Sequence, residues 1–543
     1  MKNSIQFISP NVLHQVLQSQ DEYALLDVRE QEEFSREHVL LACCAPLSRL
    51  ELVIPHLVPC VSASVYVMDE GGFPELCRAR RAMQVLTQMG YTHVTLLDGG
   101  LAAWKKAGFV TVTGVGALSK GFGEYVEARH STPRLTPEEI KGLLDNPAIP
   151  TQVIDVRPVV EYKNMNIPGS LNLPGCEVTY RLAEVIHDPD TLIIVNCAGR
   201  TRSIIGTQTL LNAKIPNRVV ALKGGTMNWQ LSGFELEYGS QRPVPALTND
   251  GKQIALQRIY DVAKRYNVSF IDAETVAEWK RESDRHTLYM FDVRQPEEYA
   301  AGHIPGSISA QGGQLVQATD EYAAVRNGRY VLIDDDELRA IMTAHWLLQM
   351  GLPNVFVLRH GLMAAQSVLA PNGLEIGSEQ ISILDDGLST KNVAEYISAH
   401  PDVLLLNVGS SNVHRKGHIP ASKWLVRAYL PIAFKQYQHA EHILLTADDP
   451  RLARLAALDA KTLWPDADVM FTKEPMSEWR SAGFPVEEGM PCALCAEDDV
   501  WYRPYTDIHA SKEAMKGYFD WEFGLVERIK ADGCVHFKDV TSA

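Results

Sequence analysis

The chain contains an internal repeat, and no other feature restricts its fold as strongly. An apolar pair, Asp-Val-Arg and an acidic-aromatic ending occur at 25–34, 153–162 and 290–299, with a weaker copy at 404–413. The copies are anchored by Asp27, Asp155, Asp292 and Asn407, which lie 128, 137 and 115 residues apart. Spacings of this size match whole domains and are too long for a solenoid repeat. The sequence therefore predicts four tandem modules.

Within each module, short β-rich runs alternate with helical patterns. In the second, the runs at 151–156, 191–196 and 217–223 are typical of buried strands, and 203–213 is typical of a helix. This alternation predicts α/β modules, each a doubly wound parallel sheet flanked by helices. The predicted boundaries of modules 1 to 4 are 1–112, 130–240, 268–372 and 380–490, followed by a C-terminal tail at 491–543. Linkers are expected near 111–133, 236–267 and 370–387, where Gly, Pro and charged residues accumulate.

Two further landmarks recur in a fixed order. Gly-Gly, Trp and Gly-Phe occur at the same spacing in 97–109 and 222–234, and the last part persists at 478–484. Gly-His-Ile-Pro-Gly-Ser at 302–307 recurs in altered form at 417–422 and 165–170. Together with Asp-Val-Arg, these motifs resemble the rhodanese (thiosulfate sulfurtransferase) family over about residues 1–490. The resemblance implies a reactive cysteine between a central strand and a helix, and a frequent pairing of active modules with modules that lost the cysteine.

Only the second module carries a thiol at the position that the resemblance implies. Cys197 lies 42 residues after Asp155. The same step from the anchors of modules 1 and 3 reaches Asp69 and Asp334. The corresponding strand of module 4 ends in Thr446, Ala447, Asp448 and Asp449. Because a carboxylate cannot hold a transferable sulfur atom, modules 1, 3 and 4 are predicted to be catalytically silent.

The loop that begins at Cys197 combines a nucleophile with features of an anion site. A thiolate, not a thiol, attacks a sulfane sulfur. The backbone N–H groups of the loop, the N-terminus of the following helix and two arginines would stabilise both this thiolate and an anionic donor. We therefore expect Cys197 to be the catalytic residue. The expected substrate-binding residues are Ala198, Gly199, Arg200, Thr201 and Arg202.

These features predict a sulfurtransferase. Cys197 attacks the outer sulfur of thiosulfate or a similar anionic donor, sulfite leaves, and the resulting persulfide passes its sulfur to cyanide or a thiol. No metal or organic cofactor is expected. One alternative is a cysteine-dependent phosphatase-like enzyme, but the spacing from Cys197 to Arg202 is one residue short and Asn196 replaces the expected His. A second alternative is a non-catalytic binding scaffold, which leaves the Cys197 loop unexplained.

Composition restricts the partners and the location of the chain. The 543 residues carry a formal net charge of −16, which argues against nucleic acid or an anionic membrane as a partner. The sequence has no apolar run of about 18 residues, and its N-terminus lacks the apolar region of a secretory signal. The nine cysteines are expected to be reduced thiols. We therefore expect a cytoplasmic protein.

Several other residues are predicted to be structural. Asp155 and Arg157 recur in modules without a cysteine, so they are expected to brace the junction between strand and loop. Trp229 is expected in the core, and Asn166 stands at the His position of the motif with no role assigned. Cys77 has arginine neighbours, but its spacing indicates the interior of a helix, and a reactive thiol is not favoured there.

The tail lies outside the resemblance. Cys492 and Cys495 have the spacing of half a zinc site, but no second pair of ligands is near in sequence, so an incidental pair is preferred. Residues 511–533 place mostly apolar groups at i, i+3 and i+4 positions, which predicts an amphipathic helix. This helix is expected to dock on another module or on a second chain in a homodimer.

Overall fold

The computed structural model describes residues 5–71, 77–377 and 386–538. Within these ranges it contains four β-sheets, one in each predicted module. Module 1 contains, in order, β1 (Phe7–Ile8), α1 (Pro10–Leu17), β2 (Tyr23–Asp27), α2 (Gln31–Arg36), β3 (Cys43–Cys44), α3 (Leu50–Leu57), β4 (Ser64–Met68), α4 (Arg78–Gln88), β5 (His93–Leu97) and α5 (Gly100–Lys106). Helix α6 (Ala117–His130) follows it.

Modules 2 and 3 have the same alternation of strands and helices. Module 2 contains β6 (Arg134–Leu135), α7 (Pro137–Leu144), β7 (Thr151–Asp155), α8 (Val159–Asn164), β8 (Leu171–Asn172), α9 (Glu177–Arg181), β9 (Leu192–Asn196), α10 (Thr201–Asn212), β10 (Val219–Leu222) and α11 (Gly225–Leu231), followed by α12 (Asn249–Arg265). Module 3 contains β11 (Ser269–Ile271), α13 (Ala273–Arg281), β12 (Leu288–Asp292), α14 (Pro296–Ala301), β13 (Ile308–Ser309), α15 (Gly312–Gln317), α16 (Thr319–Tyr322), β14 (Val325–Arg326), β15 (Arg329–Ile333), α17 (Leu338–Gln349), β16 (Val355–Leu358) and α18 (Gly361–Leu369).

Module 4 and the tail complete the described chain. Module 4 contains α19 (Thr390–Ala399), β17 (Leu404–Asn407), α20 (Ser411–Lys416), β18 (Lys423–Trp424), α21 (Leu430–Gln436), β19 (His442–Thr446), α22 (Pro450–Leu463), β20 (Asp468–Phe471) and α23 (Met476–Ser481). The tail contains α24 (Lys512–Asp532). None of the helices within the described ranges is both long and apolar enough to cross a membrane.

With the exception of β14, the strands of each module form one parallel sheet. The orders are β1-β5-β4-β2-β3 in module 1, β6-β10-β9-β7-β8 in module 2, β11-β16-β15-β12-β13 in module 3 and β18-β17-β19-β20 in module 4. Strand β14 of module 3 pairs antiparallel with β2 of module 1, so these two modules are joined through a sheet. The prediction of parallel α/β modules flanked by helices, with a C-terminal helix, is confirmed.

The strand register identifies equivalent positions in the modules. Asp155 at the end of β7 pairs with Asn196 at the end of β9, so Cys197 directly follows a paired position. Asp69 and Asp334 follow the same pair in modules 1 and 3. In module 4 the equivalent residue is Ala447. The parallel strands of each sheet therefore end at one edge, and Cys197 lies at that edge in module 2.

The repeated Asp-Val-Arg motif forms a buried ion pair. Both oxygens of Asp155 accept hydrogen bonds from Arg157, at 2.8 to 3.2 Å, and Arg157 also donates to the carbonyl of Met165. The Asp27–Arg29 and Asp292–Arg294 pairs have the same geometry. Because the pair is present beside loops with and without a cysteine, its contacts match the bracing role predicted from the sequence. Trp229 is buried in the core, as predicted.

The segments predicted as linkers after modules 1 and 2 contain helices. α6 lies within 111–133, and α12 lies within 236–267. Two glycines allow α6 to approach its neighbours closely. A Cβ atom at Gly121 would collide with Ile529 of α24, and one at Gly123 would lie 2.8 Å from Cγ2 of Thr201. These helices therefore fill space between modules instead of spanning solvent.

Helix α24 begins and ends as the sequence predicts. Ser511 caps its first turn by accepting a hydrogen bond from the N–H of Ala514. The helix packs against α6, and Met515 and Tyr518 also lie in one cluster with Ala198 of the Cys197 loop. Its buried residues are Met515, Tyr518, Glu522, Leu525, Ile529 and Asp532. The face expected to dock is therefore covered by the same chain. A homodimer through this helix would have to use its other face.

Candidate active site around Cys197

The loop from Cys197 to Arg202 is buried, and the carbonyl groups at its start are tied to α11. The carbonyl oxygen of Cys197 accepts a hydrogen bond from the N–H of Thr226 at 2.8 Å, and that of Ala198 accepts one from Met227 at 3.0 Å. This approach explains the Gly-Gly motif, because Gly225 has φ +56° and a Cβ atom there would collide with the Cys197 carbonyl. Cys197 itself is 2% exposed.

The N–H groups of this loop have no acceptor among the described residues. None of the backbone N–H groups of residues 198–203 donates a hydrogen bond to any residue within 5–71, 77–377 or 386–538. All six of these residues are buried. Buried N–H groups are normally satisfied, and those at the start of a helix favour an anion. The loop of module 2 therefore has the features of an anion site with a sulfur atom beside it.

In modules 1 and 3 the aspartate at the position of Cys197 accepts hydrogen bonds from backbone N–H groups that follow it in the chain. Oδ2 of Asp69 accepts from the N–H of Ala79 at 3.0 Å, and its Oδ1 accepts from Gly71 at 2.9 Å. Oδ2 of Asp334 accepts from the N–H of Arg339 at 2.7 Å. The carboxylate that replaces the thiol thus takes the place of a bound anion. That these two modules are catalytically silent stays a prediction.

Arg200 is bound by acidic residues of α6. Its guanidinium donates to both oxygens of Glu124 at 2.7 Å and to Glu127 at 2.5 Å. The guanidinium carbon also lies 4.3 Å from the ring centre of Phe523 in α24. The sequence predicted that this arginine would offer its charge to the loop, but two carboxylates neutralise it locally.

Arg202 is also paired with a carboxylate. It donates to the two oxygens of Glu161 at 2.6 and 2.7 Å, and to Gln314 at 3.2 Å. Burial disfavours its charge, yet Glu161 raises the pKa of Arg202 above its usual value, and Cys197 contributes in the same direction. Arg202 therefore acts on Cys197 electrostatically while its hydrogen bonds go elsewhere.

The C-terminal tail closes the site. Tyr505, Met515 and Tyr518 form one buried cluster with Ala198 and Met227. The side-chain carboxylate of Glu522 also faces the loop, since its Oε1 accepts a hydrogen bond from Thr201 at 3.4 Å. Its Oε2 is buried and makes no hydrogen bond in the described ranges. Burial raises the pKa of Glu522 to about 7, although Lys120 opposes this shift.

The residues that α6 and α24 bring to the site were not predicted from the sequence. Lys120 is 6% exposed, and burial lowers its pKa to about 8. It lies in a segment predicted as a linker, where no pattern marked it. Glu522 could have been noticed in the sequence, because it is a charged residue within the apolar stripe of the predicted helix.

The other singled-out cysteines are not arranged for catalysis. Cys77 directly precedes α4, whereas its spacing had indicated a helix interior, and its thiol donates to Asp69 at 3.4 Å. Burial raises the pKa of Cys77. Cys495 accepts a hydrogen bond from the N–H of Val426, and burial raises its pKa to about 11. Among the described residues, no group of three or more His, Cys, Asp and Glu side chains could hold a metal ion.

Comparison with known proteins identifies the family. The profile of the rhodanese-like domain matches residues 9–107, 136–232 and 272–367. A crystal structure of thiosulfate sulfurtransferase from Pseudomonas aeruginosa is 42% identical, covers 98% of this chain and 99% of that chain, and superimposes with a TM-score of 0.90.

Two curated proteins match shorter stretches. An uncharacterized protein of Synechocystis is 39% identical over 105 residues, which are 19% of this chain and 55% of that protein. An HTH-type transcriptional regulator of Mycobacterium tuberculosis is 32% identical over 88 residues, which are 16% of this chain and 38% of that protein. The chain thus spans about half or less of these curated relatives. From the domain matches and the full-length structural similarity, the chain belongs to the rhodanese family.

Proposed function

We propose that the protein transfers a sulfane sulfur from thiosulfate, or a similar anionic donor, through a persulfide on Cys197. The main support is that residues 198–203 are buried and that their backbone N–H groups have no hydrogen-bond acceptor in the part of the chain that the structure describes. In the loops of modules 1 and 3 a carboxylate satisfies such groups, whereas in module 2 a thiol stands at that position. A persulfide anion on Cys197 would supply the missing negative charge. The similarity to a thiosulfate sulfurtransferase supports this choice of reaction.

The reaction consists of two displacements at sulfur. The Cys197 thiolate attacks the outer sulfur of thiosulfate, a new S–S bond forms, and the S–S bond of the donor breaks. Sulfite leaves with the bonding electron pair, and the terminal sulfur of the persulfide carries the negative charge. A thiol or cyanide then attacks that sulfur and regenerates the thiolate. Neither step requires a metal or an organic cofactor.

In this proposal the loop residues bind the sulfur and the rest of the chain supports them. The N–H groups from Ala198 to Arg202 stabilise the terminal sulfur anion. Arg202 contributes through its electrostatic effect on Cys197. Modules 1, 3 and 4 take no part in the chemistry. Since all nine cysteines are unpaired, we place the reaction in a reducing compartment such as the cytoplasm.

The contacts of Arg202 favour sulfur transfer over a phosphatase reaction. A cysteine-dependent phosphatase would need an arginine free to bind phosphate with two hydrogen bonds. In this loop Arg202 already forms two such bonds with Glu161. A binding scaffold without catalysis would give no reason for buried N–H groups around a thiol.

The test is detection of the persulfide. The protein is incubated with thiosulfate, and the peptide containing Cys197 is examined for a mass increase of about 32 Da, one sulfur atom. Cys197→Ser is expected to abolish both the adduct and transfer to cyanide. Cys77→Ser, the matched control, is expected to retain most of the transfer. Full transfer activity in the Cys197→Ser variant would contradict the proposal.

A further inference from the structure

The anionic donor needs a cation that is not already bound by the protein. Arg200 and Arg202 each donate hydrogen bonds to carboxylates of the protein, so their charges are already compensated. The remaining cations near the loop come from elements that sequence reasoning did not connect with it. Among these, Lys120 of α6 has the position and the surroundings to bind an anion.

Lys120 lies on the face of α6 that contacts the Cys197 loop. Gly123, one helical turn later and therefore on the same face, lies against Thr201 at the start of α10. Ser119, beside Lys120, lines the same pocket as Thr201 and Arg202. These contacts place the lysine next to the N-terminus of α10.

Lys120 lies in a cluster of charged residues. The charges that act on it belong to Cys197, Arg202, Arg503 and Glu522, and Lys120 in turn acts on Asp320. Although these charged groups are near, the side chain of Lys120 forms no hydrogen bond with any other described residue. It also forms no ion pair within 4 Å with them. Oε2 of Glu522 also makes no hydrogen bond in the described ranges. The cluster therefore contains a buried lysine whose ammonium group forms no hydrogen bond with the described residues.

We propose that Lys120 is a substrate-binding residue that holds the anionic end of the sulfur donor beside Cys197. This inference rests on the proposed function and adds the residue that recognises the donor's charge. Burial lowers the pKa of Lys120, but the neighbouring Glu522 opposes this shift and favours the ammonium form. Three N–H donors on a compact charge suit a sulfonate group, and the buried surroundings strengthen the contact.

The experiment separates recognition of charge from reactivity of the thiol. Thiosulfate is compared with methyl methanethiosulfonate, an uncharged reagent in which the thiolate attacks the outer sulfur and methanesulfinate leaves. Peptide mass spectrometry measures the rate of modification at Cys197 for both reagents. The variants are Lys120→Met and Lys120→Arg, and Lys516→Met on the exposed side of α24 is the matched control.

Loss of the lysine is expected to slow the reaction with thiosulfate but not the reaction with the uncharged reagent. Lys120→Met slows persulfide formation from thiosulfate by about 10-fold or more, as expected for loss of a charged hydrogen bond, and it leaves the reaction with the uncharged reagent nearly unchanged. Lys120→Arg recovers most of the thiosulfate rate, and Lys516→Met changes neither reaction.

Two outcomes would overturn the inference. One is an unchanged thiosulfate rate in Lys120→Met, and the other is an equal loss with both reagents, which would show that the lysine only supports the thiol or the fold. Failure of the proposed function would give a different result with the two reagents. In that case the unmodified protein reacts with the uncharged reagent at Cys197 but forms no persulfide from thiosulfate.

Discussion

Arg202 donates two nearly parallel hydrogen bonds to the carboxylate of Glu161, at 2.6 and 2.7 Å. The arginine is buried and belongs to α10, whereas the glutamate belongs to α8. The pair therefore connects the helix that follows the reactive cysteine to the helix that follows the Asp-Val-Arg motif. Gln314 of module 3 joins the same guanidinium at 3.2 Å, so the contact also spans two modules.

Breaking this pair on one side is expected to destabilise the protein. Glu161→Leu leaves a buried guanidinium without its carboxylate, which costs about 3–5 kcal/mol of unfolding free energy. The double variant Glu161→Leu/Arg202→Leu is expected to recover most of that loss, because no charge is then left unpaired. Thermal unfolding of both single variants and the double variant measures the coupling. Additive losses would show that the two side chains stabilise the fold independently.

Asp334 in module 3 is expected to contribute to the stability of the fold but not to persulfide formation at Cys197. It is 1% exposed and receives hydrogen bonds from the N–H and the guanidinium of Arg339. Asp334→Asn removes one of the charges around a fully buried arginine, so the unfolding midpoint should fall by several degrees. Asp284→Asn, an exposed matched control, should leave the midpoint unchanged. Persulfide formation at Cys197 should continue in both variants, and its loss in Asp334→Asn would give module 3 a catalytic role.

The repeat in the sequence was sufficient to predict the fold and the place of the thiol. Asp155 and Cys197 are 42 residues apart because helix α8, strand β8 and helix α9 lie between the two neighbouring strands β7 and β9. A similar segment occurs in modules 1 and 3, so counting from Asp27 and Asp292 reached equivalent positions. Such a repeat can be recognised in the sequence because the contacts between its strands and helices lie within one module.

Contacts between modules could not be read in the same way. Helix α6 carries Gly121 and Gly123, and it buries polar residues such as Lys120, so it shows no amphipathic stripe. Its partners are α10 and α24, which lie far away in the sequence. For the same reason nothing in the sequence indicated that Glu124 and Glu161 would bind the two arginines of the loop. The chemistry of the site was therefore predictable, whereas the electrostatics around it required the three-dimensional arrangement.

Buried histidines are expected to make the protein sensitive to acid. Burial lowers the pKa of His345 to about 3, whereas an unfolded histidine has a pKa of about 6.5. As the pH falls below 6.5, the unfolded chain binds a proton that the folded chain does not bind, so stability decreases until about pH 3. At pH 5 this one group accounts for about 2 kcal/mol of lost stability.

The variant His345→Gln tests this assignment. Its unfolding midpoint should fall less between pH 7 and pH 5 than that of the unmodified protein. His187→Gln, which removes an exposed histidine, should leave the pH dependence unchanged. An equal pH dependence in all three proteins would show that His345 does not contribute to acid sensitivity. His38, whose pKa burial also lowers to about 3, should act in the same direction.

Replacing the thiol with the residue found in the silent modules should stabilise the loop while it removes the reaction. In Cys197→Asp the new carboxylate would accept the N–H groups of the loop, as Asp69 and Asp334 do in their own modules. Cys197→Ala removes the thiol without supplying an acceptor, so it is the matched comparison. Both variants should fail to form a persulfide. The aspartate variant should unfold several degrees above the alanine variant, since a hydrogen bond to a charged acceptor contributes about 1.5–3 kcal/mol. An aspartate variant that unfolds below the alanine variant would mean that the loop does not favour an anion, and the proposed role of its N–H groups in holding the persulfide would fail with it.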